Sequence, residues 1–477
     1  MKQFIQICIF QVCLACSYVS ITQAQSITTN ETSSSVATTW ADMTVRVMTR
    51  APKNTPTYGS RAIGYLGLTM YETVVHSAPK NRSIIRQLVD TLALPKVDPK
   101  KAYCWELALN AGQAYMLKAF YAYTEKTQPI DSLEQEIHDR YAVQLSPDVV
   151  ERSEKYGKAI AAKIYQWAKN DGGHEGYLRN FPADFVRPHG EGLWVPPAIG
   201  QSNTKIPMHP TWGQNRTFSR RNRELPMPKP LEYSTDTTSL YYKHYKEVVD
   251  RNRTLTEADR AIVMWWGDDP TETCSPPGHS YNLGSIAIRN SSADLVKAAE
   301  TYARIGMAVA DAFIICWKVK FAYNVERPSS YAQNILRPNG KNGQWWPQWL
   351  PFFLEPPFPS FYSGHAVQSA ATATVLTALY GTSFPFTDDT HVTRPDLVYT
   401  YRHELPDKPT QADYTAYFNS YTNKLKYKSR HYKSFWDAAQ ECAESRLMGG
   451  IHTRYDNEVG LVEGVKIGGN INALKWR

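Results

Sequence analysis

Three segments in the second half of the chain carry residue types that can hold and work on a small oxyanion. The first is Lys320-Phe-Ala-Tyr-Asn-Val-Glu-Arg327-Pro328. A spacing of seven is nearly two helical turns, so a helix through Lys320 and Arg327 sends both cations from one face about 10 Å apart, close enough to converge on one anion. Pro328 is expected to end that helix, because the residue before a proline avoids the α region. The second segment is Pro357-Phe-Pro-Ser360-Phe-Tyr-Ser363-Gly364-His365, followed by small, helix-compatible residues to Leu379 and then by Gly381. It predicts a buried helix with a glycine C-cap and with Ser363, Gly364 and His365 at its N-terminus. Free N–H groups and the positive dipole end favour an anion there, and Gly364 lets the backbone approach it closely. Taken alone, the same residues also fit a plain serine N-cap.

The third segment is Ser445-Arg446-Leu-Met-Gly449-Gly450-Ile-His452-Thr-Arg-Tyr-Asp456. The glycine pair is expected to interrupt a helix, so that Arg446 ends one helix and His452 begins another. His452 and Asp456, four apart, then share a face. The carboxylate can accept one imidazole N–H and leave the other nitrogen as a lone-pair donor, either a nucleophile or a metal ligand.

These side chains need a helical frame, and the apolar spacing supplies one. Positions recur at three and four from Trp40 to about Tyr123, as in Ala62, Tyr65, Leu66 and then Leu107, Ala111, Tyr115. Tyr156, Ile160, Ile164 and Trp167 place a further helix over 153–169, and helical spacing returns over 241–266 and 295–326. Strand alternation is scarce. Between Gly172 and Leu231 the pattern dissolves into Gly, Pro, Asn and Trp, a long irregular segment expected to wrap the surface or roof a pocket. The fold class is all-α, in helical bundles with long irregular connections. A helical N-terminal domain over 25–250 and a second helical domain over 251–477 are expected.

A smaller cluster, Trp265-Trp266-Gly-Asp268-Asp269-Pro-Thr-Glu272 with His279 beyond it, lacks the regular ligand spacing of a calcium loop. Turn capping and helix initiation account for its acids, and His279 is expected near a pocket mouth.

With 477 residues, 42% of them hydrophobic, and a mean hydropathy of −0.46, the chain can bury a large core and is not disordered. Its charge of +8 is spread without a basic run, which argues against a nucleic-acid arm. Residues 1–24, with Lys2, an apolar stretch and then Thr22-Gln23-Ala24, have the layout of a cleavable export signal. Cys16 offers the alternative of lipid attachment. A periplasmic or extracellular location follows, with no integral membrane segment after the leader. Cys104, Cys274, Cys316 and Cys442 allow two disulfides in three pairings, although buried thiols with at most one bridge fit better.

Together and in this order, Lys-x6-Arg-Pro, Ser-Gly-His and Ser-Arg-x5-His-x3-Asp resemble the superfamily of type 2 phosphatidic acid phosphatases and vanadium-dependent haloperoxidases. The helical N-terminal half and the leader are similar to its exported bacterial haloperoxidase-like members. The resemblance runs from Lys320 to Asp456 and implies an active site in the C-terminal bundle. It implies that vanadate is the cofactor, with phosphate able to occupy the same site. Lys320, Arg327, Arg446, Ser363 and the Gly364 N–H would bind the equatorial oxygens. His452 would be the metal ligand to vanadium or a phosphatase nucleophile, His365 the acid–base group at the opposite apex, and Asp456 the orienter of His452.

Trp317 and Phe358 match aromatic positions on the halide side of chloride-oxidising members, and the stretch from Trp345 to Phe353 could wall a dry pocket. The implied partners are hydrogen peroxide and halide, giving hypohalous acid. The alternative is a phosphomonoester, hydrolysed by an acid phosphatase with the same residues through a phosphohistidine. One pocket can serve both, because vanadate on an axial nitrogen has the shape of a phosphoryl group in transfer. A binding protein without turnover is disfavoured, since so much buried positive charge without an anion is costly.

Overall fold

The computed structural model describes residues 34–477 apart from 91, 198–199, 203, 271, 337–348, 402–409, 413–414 and 416–420. The expected leader with Cys16, and Trp345 and Trp346 of the expected pocket wall, lie outside the described residues.

The chain is mostly helical. The first helices are α1 (Ser35–Arg50), α2 (Pro56–Val74), α3 (Trp105–Tyr121), α4 (Gln128–Ala142) and α5 (Pro147–Ala168). Helix α2 starts where Thr55 accepts a hydrogen bond from the Tyr58 N–H and Pro56 fills the first turn. It is buried on all sides. In α5 the four residues Tyr156, Ile160, Ile164 and Trp167 are buried as their spacing requires.

A short helix α6 (Arg220–Arg223) interrupts a long irregular segment, and α7 (Leu240–Arg253), α8 (Glu257–Trp265) and α9 (Ser275–Arg289) follow. The long α10 (Leu295–Tyr323) is capped by Asp294, whose side chain accepts from the Lys297 N–H. It runs against α2 with the backbones nearly touching. A Cβ on Gly67 would meet the Tyr302 oxygen at 2.4 Å, and one on Gly306 would meet the Ile63 oxygen at 2.2 Å.

The C-terminal part adds α11 (Pro328–Tyr331), α12 (Gly364–Tyr380), α13 (Phe435–Met448) and α14 (Arg454–Asn472). Helices α12 and α14 meet along Gly460, Gly464 and Gly468, where added Cβ atoms would come within 2.9 Å of α12 atoms. The strands form two antiparallel ribbons, β1 (Phe386–Asp388) with β4 (Arg430–Tyr432) and β2 (Leu397–Tyr401) with β3 (Tyr421–Leu425). They are excursions from an all-α frame. One apolar core extends from Val36 to Trp476. Cys104, Cys274, Cys316 and Cys442 are buried free thiols, so the single bridge left open by the sequence is not formed. No described helix is long and apolar enough to cross a membrane.

Two local expectations need correction. The helix carrying Lys320 ends at Asn324 rather than at Pro328. Asn324 takes the left-handed conformation, φ 50°, and its N–H donates to the Lys320 oxygen. Arg327 therefore arrives from the following loop, and the two cations do not share a helix face. Likewise His452 does not begin a helix: it lies in the connection after Gly449-Gly450, and Thr453 is the N-cap of α14.

Candidate active site

Helix α12 begins where the sequence placed it. Ser363 is its N-cap, the Ser363 Oγ accepting from the Ala366 N–H at 3.3 Å. The Ser363 N–H in turn donates to the Asp456 oxygen at 3.1 Å, which ties the start of α12 to the start of α14. Gly364 and His365, just inside α12, line a cavity of about 690 Å³ together with Trp317, Phe358, Arg446 and His452. The irregular segment roofs this cavity through Tyr177, Leu178, Phe181 and Met208.

Lys320 is fully buried behind the cavity wall. Its Nζ donates to the Pro359 and Ser360 oxygens at 2.9 and 2.6 Å. Arg327 donates through Nε to the Phe358 oxygen at 2.9 Å and through Nη1 to the Ile451 oxygen at 2.8 Å. Both cations stand over the Phe358 ring, 5.3 and 5.1 Å from its centre. Arg446 binds Ser445 Oγ at 3.0 Å and the Val263 oxygen at 3.1 Å, while its Nη1 is buried without a partner. His365 Nε2 is also buried without one.

Among the described residues no carboxylate forms an ion pair with Lys320, Arg327 or Arg446. Burial lowers Lys320 to about 7 and Arg327 to about 10. It also lowers Arg446, and burial followed by the Arg446 charge holds His365 well below the usual imidazole range.

His452 is oriented from behind. Its Nδ1 lies 3.0 Å from Asp456 Oδ2, and that oxygen also accepts from Ser360 Oγ at 2.6 Å. Burial would raise the Asp456 carboxyl, but the hydrogen bonds from His452 and Ser360 keep it below the ordinary carboxylate value. Burial lowers His452 to about 3, so a neutral ring donates Nδ1–H to a carboxylate and Nε2 keeps its lone pair. The contact arises from the capping box of α14, in which Thr453 and Asp456 bond reciprocally, and not from a helix face.

Gly364, His365, Arg446, His452, Trp317 and Phe358 thus reach the cavity, with Lys320, Arg327 and Asp456 packed directly behind them. Ser363 sits beneath, its Oγ accepting the cap hydrogen bond and its O–H left to donate. Sequence reasoning overlooked Ser360, whose position three residues before Ser363 was its only signal. Asp269, which the sequence assigned to turn capping, is a cavity residue; it accepts from Gln201 at 2.7 Å, and burial, then Glu272, raises it to about 7.

The donor set fits a tetrahedral or trigonal oxyanion. Three buried cations lack an anionic partner, two buried nitrogens have no partner at all, and a helix N-terminus opens beside an oriented imidazole.

The mostly helical fold, this pocket and three comparisons fit the superfamily of vanadium-dependent haloperoxidases and type 2 phosphatidic acid phosphatases. The family model of the second helical-bundle domain of VCPO matches residues 300–475. The vanadium chloroperoxidase of Curvularia inaequalis is 27% identical over 218 residues, 40% of this chain and 35% of that protein, so the match spans about a third of that relative's length.

Among solved structures, a bacterial vanadium-dependent iodoperoxidase, described as the first, superposes with a TM-score of 0.72 and 27% identity. That superposition covers 91% of this chain and 95% of the other. A bacterial vanadium-dependent chloroperoxidase in its holo form gives a TM-score of 0.61 at 15% identity, covering 90% and 93%, and shares the fold.

Proposed function

We propose that the chain oxidises halide with hydrogen peroxide to hypohalous acid, using vanadate held in this pocket, and that it works in the periplasm or outside the cell. The observation that carries the reading is the meeting of three buried cations, unpaired with any described carboxylate, around an oriented histidine. Lys320, Arg327, Arg446, Ser363 and the Gly364 N–H would hold the oxygens of vanadate, and His452 Nε2 would bind vanadium. Phosphate would use the same donors. Vanadate, once bound, activates hydrogen peroxide towards two-electron oxidation of a halide.

His365 is neutral at ordinary pH and can take the proton that incoming hydrogen peroxide gives up. Lys320, charged beside an oxyanion, would place a fixed positive charge against the oxygens of the bound group. Trp317 and Phe358, with ring centres 4.8 Å apart, supply a dry wall for that halide. The wall favours peroxidase chemistry over the competing phosphatase reading, in which His452 attacks a phosphomonoester and His365 protonates the leaving oxygen.

The test is halide oxidation by hydrogen peroxide, measured before and after addition of orthovanadate, beside hydrolysis of a chromogenic phosphomonoester. Halogenation that appears with vanadate is expected. Phosphatase turnover independent of vanadate, with no halogenation, would overturn the proposal.

A further inference from the structure

A second set of buried titratable groups adjoins the cavity and takes no part in the steps above. Asp268 follows α8, His279 lies on α9, Asp388 ends β1 and His391 lies just beyond it. His279 Nδ1 is 2.9 Å from Asp268 Oδ2, and His391 Nε2 is 2.8 Å from Asp268 Oδ1. On its other side His279 Nε2 is 2.8 Å from Asp388 Oδ2. All four residues are at most 2% exposed, and His279 is buried inside this cluster rather than placed at a pocket mouth. We propose that Asp268, His279 and His391 form a zinc site, with Asp388 orienting His279 from behind.

The donor types and spacing suit that ion. One ligand atom from each of the three residues lies within 4.8 Å of the others. Two imidazoles and a carboxylate are a common zinc set, and bonds of about 2.0–2.1 Å put tetrahedral donors about 3.3 Å apart. The two Asp268 contacts, at 2.9 and 2.8 Å, are about half an ångström shorter than that separation.

The surroundings are those of a metal-bearing histidine. Asp388, the expected acceptor of the His279 Nε2–H, is itself fixed by the Trp265 Nε1–H at 3.1 Å and the Thr390 N–H at 3.0 Å. Trp266 stacks on His279 at 4.6 Å, and Trp265 meets His391 edge-on at 5.1 Å. A separate cavity of about 910 Å³, lined by His391, Thr390 and Cys274, gives the ion a way in.

A carboxylate oxygen faces each ring nitrogen of His279, so both nitrogens donate a proton. Two carboxylates and one imidazolium leave one negative charge in excess, and a divalent ion in place of one proton removes it. On loading, His279 releases its Nδ1 proton to solvent and keeps Nε2–H on Asp388, while His391 shifts its proton to Nδ1. One proton leaves per ion. The site would staple the β1–β4 ribbon to the α8–α9 connection.

The experiment uses the full chain, stripped with a chelator, titrated with Zn²⁺ and assayed for zinc and vanadium by elemental analysis. One zinc per chain is expected, with release of about one proton and a rise in thermal midpoint. His391→Ala should retain less than a tenth of that zinc, and Asp388→Asn should bind about 10–100-fold more weakly. His452→Ala should lose vanadium and keep zinc, which separates this site from the proposed function. Absence of saturable zinc binding by the stripped wild type would overturn the proposal. So would a His391→Ala variant that binds like the wild type. If His391→Ala does not fold, the wild-type titration decides alone.

Discussion

Asp456 Oδ2 lies 3.0 Å from His452 Nδ1 across the start of α14, and the cap that places it there also fixes which imidazole nitrogen faces the cavity. Asp456→Asn keeps the shape but presents an amide whose donor end conflicts with Nδ1–H. Vanadate affinity, measured by calorimetry, should fall about 10–100-fold. The thermal midpoint should stay within a few degrees, because an asparagine can still accept from Thr453.

Lys320 gives a pH-dependent stability of defined sign. Its folded value, about 7, lies below the ordinary 10.5, so the folded chain binds fewer protons than the unfolded one between those limits. The ligand-free protein should therefore gain stability as pH rises from about 7, by up to about 1.4 kcal/mol per pH unit from this group. Lys320→Met should remove that slope and be more stable than the wild type at pH 6. Urea unfolding of both chains at pH 6, 7 and 8 is the measurement.

Arg446 Nη1 and His365 Nε2 have no partner until an oxyanion arrives. Orthovanadate or phosphate at a hundred times its Kd should raise the unfolding free energy by about 2.7 kcal/mol. Arg446→Met should show no such gain when scanned by calorimetry with the same anion.

Phe358 packs on Trp317, whose Nε1–H is anchored to the Met208 oxygen at 3.1 Å. A polar side chain there would admit water to the halide side. Chloride, more strongly hydrated than iodide, loses more from a wet wall. Phe358→Asn should lower kcat/KM for chloride at least tenfold and leave iodide within a few-fold, read in parallel assays.

The contact of α12 with α14 depends on Gly460, Gly464 and Gly468 of α14. A Cβ on Gly464 would sit 2.4 Å from the Val367 oxygen, and Gly464→Val should cost about 1–3 kcal/mol or more in denaturant unfolding.

The legible parts of the site were those written in local chemistry. Ser363, Gly364 and His365 could be placed at a helix start because N-cap serine, small residues and a terminal glycine act within a few positions. His452 and Asp456 could be paired because they are four apart. The same locality misled where two signals competed: Asn324 ends α10 before Pro328 can, and Thr453 takes the cap ahead of His452. The Asp268–His279–Asp388–His391 network was out of reach, because its bonds join residues up to 123 positions apart and His391 lies in a stretch without periodicity. Ser360 meets Asp456 across 96 positions for the same reason.

The central claim is that one buried pocket, closed by His452, binds the oxyanion on which the chemistry depends. Equilibrium binding of orthovanadate to the wild type and to His452→Ala tests it most directly. The wild type should bind one vanadate per chain, and His452→Ala should bind at least a hundredfold more weakly while keeping its fold by circular dichroism. Vanadate bound by His452→Ala with wild-type affinity would contradict the account.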